Sequence, residues 1–165
     1  MKKLLLLVAV IASTAMSAFG QTDQGERSIL LQAGYQSEPG RLMLGAEGRY
    51  NITDNIRIAP DVMFLFPKDK TTGLDINVNA HYVFPLEQGF NVFPLAGIAM
   101  LNNRYSGETI NGVKFDSKGF TDWGFNLGGG LGYNLSNNSF LNLEMKYTFS
   151  DNDCFTVGFG YGFKF

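Results

Sequence analysis

From residue 155 to 165 the chain alternates without a break. Phe155, Val157, Phe159, Tyr161, Phe163 and Phe165 take one parity, and Thr156, Gly158, Gly160, Gly162 and Lys164 take the other. Period two is the side-chain spacing of a β-strand, whose neighbours leave opposite faces. This segment therefore has one face of large apolar groups and one almost bare. The same test run backwards finds the pattern repeatedly. Leu141, Leu143, Met145, Tyr147 and Phe149 oppose Asn142, Glu144, Lys146 and Thr148. Trp123, Phe125, Leu127, Leu131 and Tyr133 oppose Gly124, Asn126, Gly128, Gly130 and Gly132. Leu74, Ile76, Val78, Ala80 and Tyr82 oppose Asp75, Asn77, Asn79 and His81. Ile56, Ile58, Pro60, Val62 and Phe64 oppose Arg57, Ala59, Asp61 and Met63, and Leu42, Leu44 and Tyr50 oppose Glu47 and Arg49. Two further segments, 29–36 and 92–101, are apolar on both faces for part of their length and leave their phase open. Together these make eight strands.

Two kinds of connection join them. Tight turns fall at 51–55, 85–89 and 136–138; the alternate links are 37–40, 67–73, 102–122 and 150–153. Only 102–122 is long. It contains Asn111-Gly112 between short β-prone runs, a strong hairpin signal, but neither arm reaches the roughly 9 to 11 residues that a membrane-crossing strand needs. It reads as an outward extension of the fifth and sixth strands. Its edge backbone, with Arg104, Tyr105, Asn111, Gly112, Lys114, Phe115 and Phe120, is the place for an external host or matrix ligand to be bound by strand addition; the plainer reading is a solvated loop. No repeat of 20 to 50 residues and no linker divides the chain.

Alternation leaves open which face is enclosed. In a soluble sandwich the apolar side would be internal and rows of glycine would coat the exterior, weakening the strands for no return. An eight-stranded barrel resolves this, because its interior is just wide enough to be filled by side chains, and bare positions make room for bulky ones. The apolar face then meets hydrocarbon, with Tyr35, Tyr50, Phe66, Tyr82, Phe84, Trp123, Tyr133, Phe149 and Phe165 near strand ends as interfacial belts. Closure also leaves no backbone group unpaired in lipid. Slipping the third strand by one residue would turn Arg57 outward at a cost of roughly 2 to 4 kcal/mol at mid-membrane. The charged share of 17%, below the usual value of about 25%, accords with so much lipid-facing surface.

The first residues add an address. Lys2 and Lys3 precede the apolar run 4–12, followed by small residues and Ala18-Phe19-Gly20, which reads as a secretory leader cleaved after Gly20. The expected organisation is a signal peptide, 1–20, and a barrel domain, 21–165. Removing Lys2 and Lys3 lowers the basic count from 13 to 11 against 15 acidic residues, a net charge of −4, which gives no electrostatic reason to expect nucleic acid. Cys154 is the only cysteine, so an intrachain disulfide is excluded.

The export signal, eight alternating strands and terminal aromatic resemble the small outer-membrane barrel family, whose members include the OmpX and opacity-protein types and the OmpA membrane domain. Gly160-Tyr161-Gly162-Phe163-Lys164-Phe165 resembles that family's signal for the barrel-assembly machinery, carried by Gly160, Phe163 and Phe165, although Gly158 stands where a polar residue is usual. The resemblance implies an all-β, eight-stranded antiparallel transmembrane barrel in the outer membrane, monomeric and without cofactor, surrounded by lipid and lipopolysaccharide.

In this phase Glu47, Arg49, Arg57, Asp61, Asp75, His81, Glu144, Lys146 and Lys164 all point into the lumen, with Asn77, Asn79 and Asn126. Both signs of charge are present, as a plug of paired groups requires, since buried charges persist only when paired. A narrow water or ion path is the alternative. His81 is the sole histidine, which leaves no histidine-rich metal site. Some small outer-membrane barrels are lipid A deacylases, with a His-Ser pair on the lipid side. Here Val83 follows two residues after His81, and His81 is on the lumenal parity, so the expectation is a structural surface protein and not an enzyme.

Overall fold

A computed structural model describes residues 23–106, 109–110, 113–114 and 118–165. The expected leader, 1–20, falls outside them, as do Asn111, Gly112 and Phe115. Eight long strands are present among the described residues: β1 Arg27–Gln36, β2 Arg41–Asn51, β3 Ile56–Lys68, β4 Thr71–Tyr82, β5 Phe90–Tyr105, β6 Lys118–Asn134, β7 Ser139–Phe149 and β8 Cys154–Lys164. A two-residue piece, Phe84–Pro85, continues β4 alongside β5. Every neighbouring pair is antiparallel, and the sheet closes because β1 pairs with β8, from Ser28↔Lys164 to Gln36↔Thr156. The seam at β4–β5, Thr71↔Tyr105 to His81↔Leu95, completes the circle.

The strands lie in the phase that the alternation sets. Leu31, Leu44, Val62, Ile98, Leu127 and Phe159 face outward and exposed, while Glu47, Asp61, Asn79, Asn126 and Lys146 are buried in the interior. The two ambiguous strands resolve likewise: Leu30, Gln32 and Gln36 of β1 and Phe93, Leu95, Ala99 and Leu101 of β5 point inward. Eleven residues of β7, at 3.4 Å each and a tilt near 45°, rise about 26 Å, the height of a barrel's apolar band. Aromatic pairs mark both edges of that band. Phe64–Phe66 and Tyr147–Phe149 sit at one rim, with centroids 5.4 and 4.8 Å apart. Tyr82–Phe84, Phe90–Tyr133 and Tyr161–Phe163 sit at the other, at 4.8, 4.5 and 4.9 Å.

The inward glycines are where large interior groups lie. A Cβ on Gly130 would collide with the Phe93 ring, and one on Gly162 with that of Phe140. One link is shorter than its composition suggests. The expected 67–73 connection is a two-residue turn, because Asp69 and Lys70 both take positive φ, 49° and 62°, the twist that matches a tight hairpin. Lys68 then pairs directly with Thr71. The 102–122 region behaves as expected: β5 and β6 stay paired out to Tyr105↔Lys118, and beyond them Thr109–Ile110 pairs with Val113–Lys114. The turns at 52–55, 86–89 and 135–138 and both described ends share one rim, and the long link leaves the other; in outer-membrane barrels the longer loops are extracellular, so the first rim faces the periplasm.

Candidate functional site

The alternating phase threads the lumenal residues onto a stack of layers. Uppermost, near the outer rim, Arg41 donates through Nε to Gln36 Oε1 at 2.9 Å and through Nη2 to Asn103 Oδ1 at 2.7 Å, and Gln36 Nε2 lies 3.3 Å from Cys154 Sγ. Beneath lies an apolar layer of Met43, Met63, Leu65 and Leu101. Next comes a polar bridge across the full interior. Thr148 Oγ1 donates to Asn126 Oδ1 at 2.7 Å, and Asn126 Nδ2 donates to Asn77 Oδ1 and Asn79 Oδ1 at 2.7 and 2.9 Å. Asn77 and Asn79 donate in turn to the two oxygens of Asp61, at 2.8 and 3.1 Å. Lys146 Nζ closes the chain, 3.2 Å from Asp61 and 3.7 Å from Glu144. Asp75 is buried one inward step above Asn77 and makes no ion pair among the described residues.

Below the bridge the charges are less evenly matched. Arg49 pairs with Glu47 through Nε, and Gln32 Nε2 also reaches Glu47, at 3.4 Å. Arg57 forms no ion pair among the described residues. Its Nε and Nη2 are 3.2 and 3.0 Å from His81 Nδ1. An imidazole nitrogen that accepts from a guanidinium has its lone pair free, so the ring proton of His81 resides on Nε2. Both guanidiniums lie over Phe93, Arg57 at 4.8 Å and Arg49 at 5.6 Å from its centroid, and His81 stacks on the same ring at 4.6 Å. Phe93, Leu95 and Val83 thus form a second apolar layer toward the periplasmic rim. Lys164 stands apart from the network, at the mouth, 3.2 Å from Glu26.

Ligand atoms of Glu47, His81 and Glu144 lie within 4.8 Å of one another, and His81 Nε2 and Glu144 Oε2 have no protein partner. The donor set does not suit a metal ion. With Nδ1 engaged by Arg57, the remaining imidazole nitrogen carries a hydrogen and offers no lone pair, and Glu47 is already bound to Arg49. A donor beside an acceptor is what the arrangement offers.

With the closed barrel, the apolar exterior and the filled interior in view, comparison with known proteins is decisive. Residues 5–163 match the family described as outer membrane protein beta-barrel domain. The chain belongs to that family. No curated protein matches the sequence. Among solved structures, the N-terminal barrel of Pseudomonas aeruginosa OprF is similar at 20% identity and a TM-score of 0.72, over 86% of this chain and 98% of that one. Ail, the attachment invasion locus protein of Yersinia pestis, is similar at 18% identity, TM-score 0.59, over 86% and 99%. OprG of P. aeruginosa is similar at 12% identity, TM-score 0.63, over 87% and 97%. These likenesses extend along the whole barrel, and this member of the family is a protein of the cell outer membrane.

On this outer-membrane barrel the expected external residues fall at the outer rim. Arg104 is exposed, Tyr105 half-buried and Phe120 exposed, on the paired continuation of β5 and β6. Lys114 is in the short outer hairpin. Phe120 also borders a mouth cavity of about 290 Å³ with Arg41, Lys68 and Asn152. At the terminal strand Gly160 faces inward, where a Cβ would stand 2.8 Å from Leu30 Cδ1, whereas Phe163 and Phe165 face outward. Phe165 N–H donates to Arg27 O at 2.9 Å, tying the last residue to the first long strand. Sequence reasoning set Met63 on the inward face but missed Phe93, Phe140, Met43, Leu65 and Leu101 as interior residues. The rows of glycine facing them were the available signal.

Proposed function

We propose that this outer-membrane barrel is a structural, non-enzymatic surface protein whose lumen is closed by its own side chains. The observation that carries the proposal is the unbroken bridge Thr148–Asn126–Asn77/Asn79–Asp61–Lys146, which links β7, β6, β4 and β3 across the interior. Apolar layers above and below it, Met43–Met63–Leu65–Leu101 and Val83–Phe93–Leu95, supply no partners for a file of water or ions. A buried network in which nearly every group is bonded is rigid. The remaining roles follow from the same frame: a leader at 1–20, an assembly signal in Gly160, Phe163 and Phe165, lipid and lipopolysaccharide around the wall, and a monomeric barrel. Single-channel recording in planar bilayers tests the reading. A silent bilayer is expected under conditions where a porin control conducts, and discrete, reproducible opening events would overturn it.

A second reading, adhesion, rests on the outer stalk. The β5–β6 pairing persists to Tyr105↔Lys118 and a two-stranded hairpin follows, presenting strand edges to a partner. Ail, whose name refers to attachment and invasion, has been solved in complex with the heparin analogue sucrose octasulfate, and that structure is similar to this chain at TM-score 0.62. Removing residues 106–117 tests this role. Loss of attachment to cells or matrix with the barrel still assembled supports adhesion, and unchanged attachment leaves the structural role alone.

A further inference from the structure

The periplasmic mouth holds a cavity of about 210 Å³ whose walls carry three cations, Arg49, Arg57 and Lys164, and two carboxylates, Glu26 and Glu87, together with Ser28 of β1. We propose that this cavity is an oxyanion-binding site, taking a carboxylate or phosphate group from the periplasmic side through Arg49 and Arg57. Arg57 is buried, 7% exposed, yet its hydrogen bonds go to a neutral imidazole and it has no ion pair among the described residues. An unpaired cation away from water is unfavourable unless a counter-charge reaches it. Arg49, 4% exposed, spends Nε on Glu47 and leaves Nη2 buried with no protein partner. Two guanidiniums therefore converge on one ring, that of Phe93, and of the two only Arg49 is in an ion pair among the described residues, with Glu47. Planar guanidinium forks suit oxyanions, which accept two parallel N–H bonds. Lys164 and Glu26 pair at the rim, 3.2 Å apart, and leave the positive charge of the cavity to the two arginines. Phe140 lies over Arg49, with Cζ 5.2 Å from the ring centroid, and fixes its plane. The site is independent of whether the lumen conducts, since its walls are residues of the periplasmic rim, among them Pro85, Asn91 and Asn134.

The test uses the full barrel folded in detergent micelles, titrated with inorganic phosphate and with acetate at constant chloride ionic strength. The readout is the NMR shift of the arginine Nε–H signals together with calorimetry. Saturable shifts of Arg49 and Arg57 with both anions support a general oxyanion site; saturation with phosphate alone narrows it to phosphate-bearing ligands. Arg57→Gln is expected to weaken binding at least tenfold. Ser28→Asp places a carboxylate of the chain's own in the cavity; phosphate binding should vanish while the thermal unfolding temperature rises, which keeps the test alive if Arg57→Gln fails to fold. No saturable shift with either anion, or unchanged binding in Ser28→Asp, would overturn the proposal.

Discussion

Replacing Lys146 by Met isolates the central ion pair of the lumen. Lys146 is 4% exposed and lies 3.2 Å from Asp61 and 3.7 Å from Glu144, so Lys146→Met leaves two carboxylates enclosed without their cation. Asp61 would keep the two amide donors of Asn77 and Asn79. Glu144 has one oxygen without a protein partner already and would keep little. Removing one member of a buried pair costs about 3 to 5 kcal/mol, because the stranded charge remains desolvated. At 1.4 kcal/mol per tenfold, the folding equilibrium falls by roughly two to four orders of magnitude. Urea unfolding in lipid vesicles, followed by the mobility difference between folded and unfolded barrel on unheated gels, measures this. The double variant Lys146→Met/Asp61→Asn removes both charges of the pair and should recover on the order of 1 kcal/mol or more, the coupling of directly bonded groups. A loss below about 1 kcal/mol for Lys146→Met is what a water-exposed pair gives. That result would mean a hydrated lumen, and the reasoning that closes it would fail.

Three further outcomes are expected. Gly130→Val drives a branched side chain into the Phe93 ring, an overpacking cost of about 1 to 3 kcal/mol that Gly130→Val/Phe93→Ala should partly relieve in the same unfolding assay. Leu143→Arg puts a charge on the lipid face opposite Leu131 and Phe159 and should cost roughly 2 to 4 kcal/mol, whereas spin labels at Leu143 and Phe159 should be relaxed by bilayer oxygen and one at Glu144 by neither oxygen nor an aqueous agent. Deleting residues 106–117 should leave the gel-mobility shift on heating unchanged, because the wall pairing up to Tyr105↔Lys118 does not depend on them.

How much of this was legible in sequence depended on contrast between the two faces of each strand. β8, with rings at 155, 159, 161 and 163 against glycine at 158, 160 and 162, states its phase outright, and β3 states it through Arg57 and Asp61. β5 could not, because Phe93, Leu95 and Leu101 face inward while Val92, Pro94 and Ile98 face outward, and both sets are apolar. Its phase is set by its partners. β6 presents Gly128, Gly130 and Gly132 to the lumen, and Gly130 opposes Phe93 across the pair, so the room is present where the ring needs it. The strand beside it, β4, brings His81 opposite Leu95 and carries the imidazole onto that ring.

The charges show the same limit from the other side. Parity alone placed Glu47, Arg49, Arg57, Asp61, Glu144 and Lys146 on the inward face, since a slip of one residue would put each in hydrocarbon. Parity does not determine who pairs with whom. That depends on the stagger of strands around the barrel, which brings Lys146 of β7 to Asp61 of β3 and leaves Arg57, on the same strand as Asp61, beside a histidine. Equal numbers of opposite charges in a lumen therefore do not guarantee local neutrality: here Lys146 serves both Asp61 and Glu144 at mid-height, and Arg57, without an ion pair among the described residues, lies toward the periplasmic mouth.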